Sequence, residues 1–180
     1  MFKLNDKVVF PGHGVAAINR VIKKIVGGKT TTFYELKFIN KDMTILVPTD
    51  EHGHATGIRS LSSPENIENL FDFLSKPATN KSIAERSMGN WKQRNKEYQS
   101  KLMTGDLYRI SEIYRELKCI EHNKELSFCE KNLLNQTESL LAEEVALVKK
   151  LHEEKALEDL RSIFTSTIFK GKSSDSQKTI

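Results

Sequence analysis

The sequence predicts an α+β protein of two domains, a small antiparallel β-barrel or strongly bent sheet followed by an all-α helical domain. Three observations predict it. Short runs rich in β-branched residues, separated by glycine- and proline-marked turns, fill about the first sixty residues. From Ser63 onward, apolar residues recur at helical spacing. Between the two parts, Lys76-Pro77-Ala78-Thr79-Asn80 reads as a linker, because Pro77 disfavours a continuing helix. The expected organisation is a β domain over residues 1–62, a connecting helix and linker over 63–80, a helical domain over 81–164, and a disordered tail over 165–180.

The β part is justified strand by strand. Lys7-Val8-Val9-Phe10 is a short strand stopped by Pro11. Gly12-His13-Gly14 turns the chain. Residues 15–26 form a second strand, and Gly27-Gly28 is a hairpin signal. Residues 30–39 return, Asn40-Lys41-Asp42 turns, and residues 43–47 end at Pro48. A last short strand covers residues 57–61. Alternation then sets the faces. Tyr34, Leu36 and Phe38 form a core set, as do Met43, Ile45 and Val47. Phe33 and Leu46 face outward on neighbouring strands. They form either an apolar patch for a protein partner or a second face covered by the helices that follow.

The helical part follows. Ser63 is an N-cap with Pro64 at the first helical position, and Ile67, Leu70, Phe71 and Leu74 make one stripe. A short helix is expected over residues 81–88. Asn90 caps a helix over residues 91–103, broken at Thr104-Gly105. Asp106 caps the next helix, on which Leu107, Ile110, Tyr114 and Leu117 share a face. Ser127 and Glu130 form a capping box for a helix carrying Leu133, Leu134, Leu140, Leu141, Val145 and Val148.

Composition narrows the class. The chain has 180 residues, 38% hydrophobic and 29% charged, and no apolar run approaches the roughly 20 residues of a membrane span. The first residues lack the apolar stretch of a secretory signal, so the expected location is cytoplasmic. Two cysteines, Cys119 and Cys129, are expected as buried or half-buried helix residues rather than a disulfide. His52 and His54 sit two apart in a predicted loop, without a third ligand at fitting spacing. Cys119, His122 and Cys129 fit no zinc spacing. No nucleophile–base set stands out, so neither an enzyme nor a cofactor is expected.

The strongest functional signal is Trp91, the only tryptophan. From Lys81 to Lys101 six basic residues meet two glutamates, a net of +4 that equals the formal net charge of the whole chain. Lys92, Arg94 and Lys96 border the indole. An aromatic wedge in a local positive field suits nucleic acid. The competing reading places Trp91 in the core with Tyr98 and Leu102, on one face of its helix, in a protein-only adaptor.

Phe2-Lys3-Leu4-Asn5-Asp6-Lys7-Val8-Val9-Phe10-Pro11-Gly12-His13-Gly14-Val15 resembles the opening of the CarD/CdnL family of bacterial transcription regulators. Phe33-Tyr34-Glu35-Leu36 and Met43-Thr44-Ile45-Leu46-Val47-Pro48 are similar to its later barrel strands. Asn90-Trp91-Lys92-Gln93-Arg94-Asn95-Lys96 and Leu102-Met103-Thr104-Gly105-Asp106 are similar to its DNA-facing helix and the break after it. The resemblance implies a Tudor-like N-terminal domain that binds the β subunit of RNA polymerase. It also implies a helical domain that meets promoter DNA, without strong sequence specificity, at the upstream edge of the bubble. Trp91 would be the minor-groove wedge that stabilises the open complex, with Lys92, Arg94 and Lys96 on phosphates. Lys24, Phe33, Leu46 and Pro48 match the polymerase-binding positions or lie beside them. The resemblance requires no metal or cofactor, and the protein is expected to be a monomer associated with the nucleoid through polymerase.

Overall fold

A computed structural model describes residues 2–50, 57–76 and 91–171, with side chains described through Thr165. The described residues divide into two compact units, those within 1–61 together with 103–105, and those within 62–102 together with 106–180.

The first unit is a five-stranded antiparallel sheet: β1 (Lys7–Phe10), β2 (Gly14–Val26), β3 (Lys29–Phe38), β4 (Thr44–Pro48) and β5 (Arg59–Ser60), in spatial order β4-β3-β2-β1-β5. β4 and β5 are its two edges, so the described strands form an open sheet, where a small barrel or strongly bent sheet was expected. The expected faces are in place. Val8, Ala16, Ile18, Tyr34, Leu36, Phe38 and Val47 form the core, with Met43 and Ile45 partly buried against it. The Phe2 ring meets Tyr34 edge-on at 6.4 Å between centroids and is partly buried against this core.

The alternation along β2 is interrupted once. Its register against β3 shifts between Ile18, opposite Leu36, and Arg20, opposite Glu35. Asn19 is the extra residue of this bulge, and its side-chain amide donates to the Glu35 carboxylate. Residues directly opposed across a ladder share a face. Ala16 and Ile18 therefore face the core with Leu36 and Phe38, whereas Arg20, Ile22 and Lys24 face outward with Glu35 and Phe33.

The turn after β1 explains its glycines. Gly12 and Gly14 hold positive φ, and the His13 ring packs at 5.2 Å from Phe10, with Nδ1 against the Pro11 carbonyl at 3.0 Å. Gly105 belongs to the same unit. It sits so close to Pro11 that a Cβ would fall 2.9 Å from the proline ring, and its φ is +65°. Its carbonyl accepts from Arg59 Nε at 2.6 Å.

The second unit is helical: α1 (Pro64–Ser75), α2 (Trp91–Met103), α3 (Leu107–Asn123), α4 (Phe128–Lys149) and α5 (Glu153–Gly171). The three local capping signals form as expected. Ser63 accepts from the Asn66 N–H at 3.2 Å and Asp106 from the Arg109 N–H at 2.9 Å. Ser127 and Glu130 form the reciprocal capping box. The helix expected as a connector is part of this core instead, because α1 buries Ile67, Leu70 and Leu74 among the side chains of the bundle. α4 is the central helix. From Leu140 to Ala146 every residue is buried, and α4 packs against α1, α3 and α5. It ends at Lys150, whose left-handed φ of 55° turns the chain into α5. α5 continues to Gly171, into the segment expected as a disordered tail. Residues 172–180, the short helix expected at 81–88, Asn90, and His52 with His54 lie outside the described residues.

Candidate functional site

The outward face of the sheet collects the four residues implied for polymerase binding. Phe33 lies directly opposite Pro48 on one side and Ile22 on the other. Leu46 stands opposite Glu35, and Lys24 opposite Thr31, one diagonal step from Phe33. Leu46 is 37% exposed, Pro48 and Lys24 are exposed, and Phe33 is half-buried. Phe33, Ile22, Leu46 and Pro48 thus form an apolar strip rimmed by Lys24, on the face away from the Tyr34 core. The strip ends at β4, an edge strand. The Asn19 bulge brings Lys24 there, since without it the alternation of Ala16 and Ile18 would turn Lys24 to the other face.

The second candidate surface is the first turn of α2. The buried stripe of this helix is Arg94, Tyr98 and Leu102, spaced four apart. Trp91 is half-buried at the end of that stripe. Its ring meets Tyr98 at 6.4 Å between centroids and Arg94 at 5.6 Å from the guanidinium carbon. Lys92 and Lys96 are exposed on the other side of the helix.

Arg94, expected on a phosphate, points the other way. Only 9% of it is exposed, and Nη2 donates to Glu130 Oε1 at 2.9 Å, an ion pair to the first turn of α4. The guanidinium is thus turned into the bundle and held there by a buried carboxylate. Burial pushes the Glu130 carboxyl up, but bonds from the Ser127 N–H, the Ser127 hydroxyl and Arg94 outweigh it, so the group titrates below the usual carboxylate range. Lys101 is engaged as well, 3.4 Å from Glu97 and 3.0 Å from Glu112. The basic cluster read from sequence therefore splits by burial, with Lys92 and Lys96 exposed and Arg94 buried. The missed partner, Glu130, carried a sequence signal only as a capping-box residue.

The cysteine expectation also meets the structure here. Cys119 is half-buried as expected, whereas Cys129 is exposed in the first turn of α4. Among the described residues no group of three His, Cys, Asp or Glu side chains could hold a metal ion, and no helix is long and apolar enough to cross a membrane.

Two family profiles match the chain in sequence. Residues 2–62 match the CarD-like/TRCF RID domain and residues 69–161 match the CarD C-terminal domain, which alone spans more than half of the chain. The chain belongs to the CarD family. A Bacillus subtilis (strain 168) protein named YdeB, designated a proposed transcription factor, is 24% identical to this CarD-family chain over 153 residues, 85% of this chain and 95% of YdeB. The boundary between the two matches falls at the start of α1, in keeping with the place of that helix in the helical core.

Proposed function

We propose that this CarD-family chain is a transcription regulator that binds the β subunit of RNA polymerase and stabilises the open promoter complex. The strip of Phe33, Leu46 and Pro48 with Lys24, ending on the edge strand β4, would take the polymerase. An extended segment added to β4 would gain backbone hydrogen bonds, and the apolar strip would give it side-chain contacts. The start of α2 would take promoter DNA at the upstream edge of the bubble. There the half-exposed face of Trp91 fills a widened minor groove, and Lys92 and Lys96 hold phosphates without reading sequence. A protein that binds the melted state better than the closed one shifts the equilibrium toward melting, tenfold for a differential of about 1.4 kcal/mol. The reading requires no catalytic group.

The observation that carries this reading is the matching of both domains in order over nearly the whole chain, supported by a half-buried Trp91 and exposed Lys92 and Lys96 at the start of α2. One observation favours the adaptor reading instead: Trp91 packs against the helical core with Tyr98 behind it. The two are separated by open-complex half-life on promoter DNA with purified polymerase. Trp91→Ala is expected to shorten the half-life while polymerase capture stays normal. Charged residues in place of both Phe33 and Leu46 are expected to abolish capture. An unchanged half-life with Trp91→Ala favours the adaptor, and normal capture by the double variant moves the polymerase site elsewhere.

A further inference from the structure

Arg94 is a charged side chain on a face of α2 that is otherwise Tyr98 and Leu102. Taking a guanidinium out of water is costly, and one carboxylate offsets the cost only in part. Its Nε and Nη1 are buried and find no hydrogen-bond partner among the described residues. For stability alone, an apolar side chain at this place would complete the stripe at lower cost.

The guanidinium does two things that an apolar side chain cannot do together. It lies beside the indole of Trp91, 5.6 Å from the ring centroid, and it reaches Glu130 at 2.9 Å. Glu130 is itself fixed, because its Oε2 accepts from the Ser127 N–H at 2.9 Å and from the Ser127 hydroxyl at 2.8 Å. A continuous chain of contacts therefore runs from the capping box of α4 through Glu130 and Arg94 to Trp91. Trp91 opens α2, and first turns lack intrahelical partners for their N–H groups and open most easily. An aromatic that must enter a groove gains from being held in place beforehand, since ordering it on contact would reduce the binding free energy.

We propose that Arg94 is a positioning residue for Trp91: held by Glu130, it fixes the indole at the start of α2, and it does not itself bind phosphate. This rests on the reading of Trp91 as the DNA wedge. It assigns the charge at position 94 to orientation, leaving the direct phosphate contacts to Lys92 and Lys96.

The test uses the full chain and its only tryptophan, whose emission reports this ring alone. Glu130→Gln keeps a capping-box residue while removing the charge that holds Arg94. Arg94→Lys keeps the charge while removing the planar group beside the indole. Leu141→Ala, fully buried elsewhere in the bundle, is the control for simple destabilisation. Acrylamide quenching of Trp91, open-complex half-life and thermal unfolding are measured on each variant and on Trp91→Ala. Quenching is expected to rise and half-life to fall by about two- to fivefold in Glu130→Gln and Arg94→Lys, the range that a cation–π contact supports. Leu141→Ala is expected to lower the melting temperature and leave quenching at the wild-type value. Wild-type quenching in both Glu130→Gln and Arg94→Lys overturns the proposal. So does raised quenching with an unchanged half-life, provided that Trp91→Ala shortens it. If Trp91→Ala itself has no effect on half-life, the wedge reading fails, and quenching alone then decides whether Arg94 holds the ring.

Discussion

Helix α4 receives an arginine at two glutamates, and the two pairs are built differently. At Glu138 the pair is bidentate: Arg161 donates from Nε at 3.0 Å and from Nη2 at 2.6 Å, and the Tyr114 hydroxyl adds a bond at 2.8 Å. Arg161 is 59% exposed, so its remaining donors reach water, while Glu138 is almost wholly buried. This network ties α3, α4 and α5 together with its groups satisfied. At Glu130 both partners are buried, one contact joins them, and two nitrogens of Arg94 have no bond partner among the described residues. The first pair is explained by the bundle alone. The second is under-satisfied, and what remains of its guanidinium faces the indole. That difference separates a structural ion pair from one that serves a surface.

The comparison predicts unequal costs. Glu130→Ala should have the largest effect on stability, about 3–5 kcal/mol, because it strands the buried Arg94 charge and removes the capping box as well. Glu138→Ala should cost about 1–3 kcal/mol, because Arg161 can turn to water and the main loss is the unpartnered Tyr114 hydroxyl. Chemical denaturation of the two variants side by side checks the order, and a larger cost at Glu138 would break the comparison.

Acid should act on both pairs in the same direction. Burial raises the Glu138 carboxyl, but bonds from Arg161 and Tyr114 outweigh it, so Glu138, like Glu130, titrates below the ordinary carboxylate value. A depressed folded pKa contributes stability above the unfolded value of about 4.3, and this stability is lost as pH falls through the folded value. Unfolding free energy is therefore expected to decline as pH drops below about 4, and Glu138→Gln should flatten the decline. Tyr114 takes no part, since burial and the neighbouring Glu138 push its hydroxyl far above the ordinary phenol value and keep it a neutral donor. A decline of the same steepness in Glu138→Gln would assign the acid sensitivity to other carboxylates.

The smallest expected effect sharpens the division within α2. Changing Lys92 and Lys96 to Ala should reduce the salt dependence of DNA association by a slope of about 2, one for each lost phosphate contact, with no change in unfolding free energy beyond about 0.5 kcal/mol. Lys101→Ala, which loses ion pairs to Glu97 and Glu112, should leave that slope unchanged. A drop in slope at Lys101 would place the DNA contact on a different side of the helix.

Much of the fold was legible because its signals are local. Ser63, Asp106 and Ser127 cap helices through contacts three residues away. The core face of β3 follows from alternation among Tyr34, Leu36 and Phe38. The features that escaped are those that depend on partners far along the chain. Whether the described sheet closes depends on how β4 and β5 stand across the three strands between them, and it is open. The Asn19 bulge depends on register against Glu35, sixteen residues away, yet it decides that Lys24 shares a face with Phe33. Arg94 looked like one of three equivalent basic residues, because its partner Glu130 lies thirty-six residues on. A sign was available in hindsight: Arg94, Tyr98 and Leu102 are spaced four apart, which puts the arginine on the apolar stripe.

The most direct measurement of the central claim places a photo-crosslinking amino acid at position 92, on the outward side of α2, and irradiates the complex of this chain with polymerase and promoter DNA. The same probe at position 109, exposed on α3, serves as the comparison. DNA crosslinks from position 92 that map to the upstream edge of the bubble, and are absent from position 109, are the predicted result. Crosslinks from position 92 to polymerase alone, with no DNA product, would contradict the assignment of this turn to promoter DNA.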